Sequence, residues 1–257
     1  MLKPSSRIGS FLYSTRGVRH YGRKILYSLP SYTVDLPDGN RILIDPKDES
    51  HEWVVEEIYN EAPYERIFGM RPGDCIVDVG ANIGVFTVKA AKLVGPSGSV
   101  IAIEPSKKNY AFLVANIALN GYRNILTGNW AASDEKGEAL LFLDGVGWRS
   151  SLFQDKGAWP WKPRATERTK MDTLDSLMDS CRVQKLDILK IDVEGAEFRV
   201  LKGGATLINR FRPRIVLEWH PWAEPIHRVS EFLTSFHYHV ITTENKEGLT
   251  LLYATPE

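Results

Sequence analysis

The spacing of apolar positions changes several times along the chain, and each change marks an element. Residues 32–45, YTVDLPDGNRILID, alternate apolar and polar on either side of Pro37-Asp38-Gly39-Asn40. That pattern predicts two strands closed by a turn that needs glycine and asparagine. A helical stretch follows, with Trp53, Val54, Ile58 and Tyr59 near helical spacing, until Pro63 interrupts it. Short apolar runs then alternate with helical patterns: a strand at 75–79, a helix over about 84–93, a strand at 99–103, a helix over about 107–119 and a strand near 125–130. Such a rhythm predicts a mostly parallel sheet covered by helices on both faces and joined by right-handed crossovers.

The rhythm breaks between 133 and 170. EALLFLDG reads as a strand there, and residues 144–168 read as a long excursion rich in glycine, tryptophan and arginine. It resumes with a helix near 173–180, a strand at 186–192, a helix from Ala196, a strand at 214–219, a helix after Pro225 and a hairpin over 238–254. The expected fold is α/β and Rossmann-like: a doubly wound, mostly parallel sheet with a C-terminal antiparallel hairpin and an N-terminal hairpin and helix extension. The expected organisation is an arm at 1–34 and one domain at 35–257, in which 35–70 cover a core of 71–257.

Composition adds bounds. A chain of 257 residues, 43% hydrophobic and 25% charged, suits one full core. Lysine plus arginine equals aspartate plus glutamate, 32 each, which speaks against nucleic acid as the main partner. The charge is uneven, however: Lys3, Arg7, Arg16, Arg19, Arg23 and Lys24 all precede the first acid, Asp35. With Phe11, Tyr13, Tyr21 and Tyr27 between them, the arm suits an anionic membrane surface or an acidic partner; a partly ordered terminal segment is the plainer alternative. Its acid-free composition would also fit an organellar transit peptide, though it lacks a secretory apolar region, and no stretch of the chain is apolar for long enough to cross a bilayer. Cys75 and Cys181 have neither disulfide-framework nor zinc spacing, so the cytoplasm is the expected location.

Candidate chemistry begins at CIVDVGANIGVFT, residues 75–87, where an apolar strand runs into two glycines and then a helix. Ligands of open α/β sheets bind at the carboxyl ends of the strands, where strand order reverses. Gly80 permits a sharp turn, Gly84 permits close approach of the next helix, and Asn82 can both donate and accept hydrogen bonds. The pattern D-x-G-x-N-x-G differs from the G-x-G-x-x-G of pyrophosphate binders, with Asp78 ahead of the loop and expected to point into the crevice. A carboxylate there repels a diphosphate and suits a sulfonium. Twenty residues beyond Gly84, Glu104 ends the next strand, where an acid reaches ribose hydroxyls. Ribose plus a cation points to S-adenosylmethionine.

Several blocks in order resemble the FkbM-type methyltransferases: YE at 64–65, VDVGANIGVFT, GSVIAIEPS, NIALNG, AASDEKG, MDTLDSL and LDILKIDVEGAE. The resemblance spans about residues 55–220 and implies a class I methyltransferase fold that binds S-adenosylmethionine. It implies that Asp78, Gly80, Asn82 and Gly84 form the cofactor loop, that Glu104 holds the ribose, and that Asp192 faces the methyl group from the fourth core strand. It also places Glu65 on the upper wall of the cofactor site, and it implies O-methylation of a sugar, polyketide or related small molecule.

The residues themselves agree with an oxygen acceptor. Enzymes acting on base amines carry an Asn/Asp-Pro-Pro-aromatic stretch after the fourth strand, where this chain has IDVEGAE. A hydroxyl needs a general base, for which Asp192, Glu194, Glu197 and His220 are candidates. For Glu197, stabilisation of a helix N-terminus is an equal alternative, and for His220 a structural histidine is another. No metal is expected, because Asp187 lies at the opposite end of its strand from Asp192 and leaves too few acids. Trp148, Arg149, Trp159, Trp161 and Arg164 of the excursion are expected to shape the acceptor pocket. A nicotinamide-dependent oxidoreductase and a non-catalytic cofactor-binding module are the alternative readings.

Overall fold

A computed structural model describes residues 4–6, 31–61, 64, 69–143, 150–152, 163–222, 224–244 and 250–257. Most of the basic arm, Glu65, Trp148, Arg149, Trp159, Trp161 and the turn of the terminal hairpin lie outside these residues.

The N-terminal part is a three-stranded antiparallel sheet of β1 (Pro4–Ser6), β2 (Tyr32–Asp35) and β3 (Arg41–Ile44). Helix α1 (Ser50–Glu56) follows and opens into a wider π-type turn at Glu57–Glu61. The core alternates β4 (Cys75–Val79), α2 (Val85–Val94), β5 (Ser99–Ile103), α3 (Lys107–Asn120) and β6 (Ile125–Gly128). After an interruption come α4 (Leu174–Ser180), β11 (Ile188–Ile191), α5 (Glu197–Gly203), α6 (Ala205–Phe211), β12 (Arg214–Trp219), α7 (Ile226–Ser235), β13 (Tyr238–Glu244) and β14 (Thr250–Pro256). The interruption is itself structured. β7 (Ala131–Ser133), β8 (Gly137–Leu143), β9 (Ser150–Ser151) and β10 (Ala165–Thr173) form a second sheet in the order β7-β10-β8-β9. The nine-residue β10 extends into the segment expected as an excursion. It is hidden in the sequence because most of its side chains stay at least partly exposed and polar.

The central sheet has seven strands in the order β13-β14-β12-β11-β4-β5-β6. β12, β11, β4, β5 and β6 run parallel, while β14 is antiparallel to β12 and β13 antiparallel to β14. The expected parallel core and antiparallel C-terminal hairpin are both present. Every residue of β4 and β11 is buried, since helices and cover close both faces, and a continuous apolar run is what such strands require.

The period of two then sorts side chains between two cores. Val77, Leu189 and Leu217 pack on one face; Ile76, Ile188 and Val216 pack on the other with Val88, Phe112 and the N-terminal residues Leu36, Ile42, Leu43 and Val55. Residues 35–61 thus share a core with the sheet. Two asparagines fasten them there. Asn116 accepts from Leu43 N at 2.6 Å and donates to Ile83 O at 2.8 Å, while Asn120 accepts from Arg41 N at 2.8 Å and donates to Arg41 O at 2.7 Å. Four helical residues rise about 6 Å and two strand residues about 6.8 Å, so amides one turn apart on α3 match alternate peptides of β3. No helix among the described residues is long and apolar enough to cross a membrane.

Candidate active site

The chain leaves β6 and returns on the far side of β4 as β11, so strand order reverses between β4 and β11. A cleft of about 970 Å³, partly open to solvent, lies at the carboxyl ends of these strands. Its floor includes Gly80, Asn82 and Glu104; Trp53 and Val54 of α1 stand on one side, and Ala131, Ala132 and Leu141 of the second sheet also line it, with Trp130 and Leu152 just outside its strands. That sheet, unforeseen as such in the sequence, therefore contributes part of the wall.

Gly80 has φ +80°, and a Cβ on it would lie 1.6 Å from Asp192 O, because the end of β4 abuts the end of β11. Only glycine fits there. Gly84, at φ +89°, precedes α2 where a Cβ would meet Leu113 Cδ1 at 2.6 Å. Asn82 takes a left-handed conformation, accepts from Ile83 N at 2.7 Å and sends its own N–H to Glu104 Oε2 at 2.8 Å. Glu104 Oε1 accepts from Ser106 N at 2.9 Å. The Glu104 carboxylate is thereby held rigidly at the cleft, 4% exposed, and burial pushes its carboxyl up to about 7 despite those two donors.

Asp78 is placed differently from the expectation. It is fully buried and absent from the cleft lining. Its Oδ2 accepts from Thr87 Oγ1 at 2.6 Å and its Oδ1 pairs with Lys190 Nζ at 3.2 Å. The two are register partners on β4 and β11, so both side chains leave the sheet on the same face. Lys190, unrecognised in the sequence, also donates to Gly80 O at 2.8 Å and pairs with Asp192 Oδ2 at 3.5 Å. Burial alone would drive off its proton, but Asp78 and Asp192 outweigh that and hold the ammonium above the usual lysine range. Asp78 is thus the buried end of a charge chain that supports the loop and reaches Asp192.

Asp192, Glu194 and His220 do come together. Asp192 and Glu194 line the cleft after β11, and Glu218 and His220 line it at the end of β12. Tyr64 lies beneath them, its hydroxyl 3.0 Å from Glu218 Oε2 and 3.3 Å from Asp192 Oδ2, with one proton to give to two carboxylates. His220 Nδ1 meets Glu197 Oε1 at 2.7 Å, and Nε2 stands 3.5 Å from Glu194 Oε2 and 3.6 Å from Glu218 Oε1. Glu197 also accepts from Gly195 N at 2.9 Å, so it serves the helix end and the histidine at once. Burial would lower the His220 pKa, yet Glu194, Glu197 and Glu218 carry it well above the ordinary imidazole value. Burial pushes Glu194 up to about 8 and Glu218 up to about 7.

Lys190, Tyr64 and Glu218 are the site residues that sequence reasoning missed. For Lys190 and Glu218 a signal existed: each interrupts a strand too apolar to leave a charge facing water, and a charge held there must be paired.

The donor set fits an S-adenosyl ligand. A rigid carboxylate with a remaining lone pair on each oxygen can accept ribose hydroxyls, a glycine turn leaves room for a ligand against the backbone, and the acidic end suits a sulfonium.

Comparison with known proteins agrees. The methyltransferase FkbM domain matches residues 78–240. The 31-O-demethyl-FK506 methyltransferase FkbM of Streptomyces tacrolimicus is 29% identical over 200 residues, 66% of this chain and 75% of that protein. Methyltransferase sdnD of Sordaria araneosa is 29% identical over 180 residues, 59% of this chain and 68% of its own. The AMB antimetabolite synthetase AmbE of Pseudomonas aeruginosa is 27% identical over 73% of this chain, which spans only 10% of AmbE. A solved methyltransferase FkbM from Methylobacillus flagellatus superposes with a TM-score of 0.53 at 17% identity, over 74% of this chain and 45% of that one; it shares the fold.

Proposed function

The chain belongs to the FkbM methyltransferase family and uses S-adenosylmethionine, and from that premise we propose that it methylates a hydroxyl oxygen of a small molecule, sugar, glycan or lipid. The observation that carries this reading is the group of carboxylates, Asp192, Glu194 and Glu218, gathered around His220 at the cleft end where β11 and β12 stop. When bound, the cofactor supplies a methyl group on a positively charged sulfur, a leaving group that needs no protein nucleophile.

The residues then have separable tasks. Glu104 and the Gly80–Gly84 loop hold the ribose end. Lys190 and Tyr64 fix the carboxylate of Asp192, which would face the sulfonium of a bound cofactor. Glu194, against His220 Nε2 and with a buried oxygen that no group among the described residues donates to, takes the acceptor's proton. With the cofactor held there, it would give up its methyl group to the acceptor oxygen and leave as a neutral thioether, and the acceptor's hydroxyl proton would end on the Glu194 carboxylate. Trp53, Trp130 and Trp222 offer faces on which an acceptor ring can stack.

The test is calorimetric titration with S-adenosylmethionine and with its demethylated product, NAD serving as control, followed by mass-spectrometric screening of hydroxylated acceptors. Binding of the first two and a 14-dalton gain on an alcohol support the reading. Cofactor binding with methyl appearing only on amines would remove the oxygen acceptor, and cofactor binding without transfer to any acceptor would leave the non-catalytic reading.

A further inference from the structure

One atom each from Asp192, Glu218 and His220 lies within 4.8 Å of the others at the cleft. The sequence expectation of no metal rested on too few acids, and it did not count Glu218 or the position of His220. Two features separate this group from an ordinary acidic patch.

The first is the histidine. Its side chain is 5% exposed, and its Nδ1 is committed to Glu197 Oε1 at 2.7 Å. That bond turns Nε2 toward Glu218 and Glu194, where it makes no hydrogen bond among the described residues. A buried carboxylate on the far nitrogen is what orients a metal-binding imidazole and selects its tautomer. The second is the unsatisfied oxygens. Glu218 is 7% exposed, Tyr64 serves its Oε2, and its Oε1 accepts no hydrogen bond among the described residues. Glu194 Oε2 is likewise buried, with no donor among the described residues. Both face His220 Nε2, at 3.5 and 3.6 Å, too far for a normal hydrogen bond, so the cost of burying them is incompletely offset.

Charge points the same way. Asp78 and Lys190 neutralise each other, which leaves the carboxylates of Asp192, Glu194, Glu197 and Glu218 around one imidazole. An imidazolium offsets one of the four and a sulfonium a second; a divalent cation in place of the ring proton brings the total with the sulfonium to three.

We infer that Asp192, Glu218 and His220 bind a divalent cation of borderline hardness, of the manganese class, with Glu197 as the residue that positions His220. Two carboxylates with one imidazole suit such an ion better than magnesium, which prefers oxygen alone, and the remaining positions are open to water or acceptor. The ligands sit at the ends of adjacent hydrogen-bonded strands, so little rearrangement is needed to close the set. The cation takes the place of the second ring proton of His220. Its role in transfer, favouring loss of the acceptor's proton, rests on the methyltransfer reading; the site itself does not.

The test is titration of the full chain, stripped of metal, with manganese(II) chloride alone, reading the loss of the free-ion electron paramagnetic resonance signal. One ion per chain is expected. Glu218→Gln should weaken binding by about tenfold or more, and Glu197→Gln by about tenfold through His220, while Asp179→Asn, far from the cleft, should bind as wild type. No binding to the folded wild-type chain at about 1 mM ion, a weak limit for a built site, would overturn the inference. So would equal binding by Glu218→Gln with an unchanged circular dichroism spectrum. Parallel calorimetry with S-adenosylmethionine separates the two readings: manganese without cofactor binding keeps the metal site and removes methyl transfer, and the converse removes the metal site alone.

Discussion

Replacing Lys190 by methionine keeps the length and apolar contact of the side chain beside Tyr64 and Phe86 while deleting its charge. What is lost can be counted. Nζ pairs with Asp78 at 3.2 Å and Asp192 at 3.5 Å and donates to Gly80 O at 2.8 Å. At an effective dielectric constant of about 20, the attraction at the shorter distance is roughly 5 kcal/mol, reduced by the cost of burying both charges. Removing one partner of a buried pair costs about 3–5 kcal/mol, because the other charge stays behind. Asp78 is fully buried and, among the described residues, retains only Thr87 Oγ1, so a loss of about 4 kcal/mol is expected. Removing both charges, in Lys190→Met with Asp78→Asn, should cost about 2 kcal/mol less than the sum of the single changes. Equilibrium urea unfolding followed by circular dichroism measures all three variants. A single variant within about 1 kcal/mol of wild type, or strict additivity in the pair, would refute the account of Lys190 as the counter-charge of Asp78.

Other consequences are open to direct measurement. Gly80→Ala forces a Cβ to 1.6 Å from Asp192 O at φ +80°; it should lower stability by about 3 kcal/mol or more and cofactor affinity by more than tenfold, and calorimetry showing wild-type binding would contradict the placement of that turn. Burial raises Glu104 from 4.5 to about 7, so the folded chain keeps a proton that the unfolded chain releases between those values. The stabilising contribution is complete below pH 4.5 and is lost as pH rises through 7. Relative to Glu104→Gln, wild type should therefore lose about 3 kcal/mol over that window, and a difference that is flat with pH would count against the buried carboxyl. Asn116→Ala strips partners from Leu43 and Ile83 and should cost about 2 kcal/mol in thermal unfolding; a loss below about 0.5 kcal/mol would show the clamp to be dispensable.

The sequence made the sheet legible where both faces of a strand are covered. CIVDV, SVIAI and RIVLEW are apolar runs bounded by turns, and each became the expected strand. β10, ATERTKMDT, was not legible, since its stability comes from seven register partners on β8, a non-local property. At the site, backbone-dependent features could be read: Gly80, Gly84 and Asn82 are needed for left-handed φ and close approach. Side-chain direction could not. Asp78 and Val79 are neighbours on one strand, yet Val79 lines the cleft and Asp78 is turned beneath it toward Lys190. Which face of a strand is which depends on what packs there, and single-strand patterning does not encode that.

On the hairpin side, Asn116 and Asn120 address only main-chain atoms of Arg41 and Leu43. A lock that recognises peptides and not side chains places no demand on residue identity beyond an extended strand with its apolar face inward. The segment carrying Trp53 and Val54 to the cleft is thus seated by peptide recognition there and by side chains elsewhere, such as Asp45 and Asp48 against Lys108, and neither anchor depends on which residues form the cleft wall.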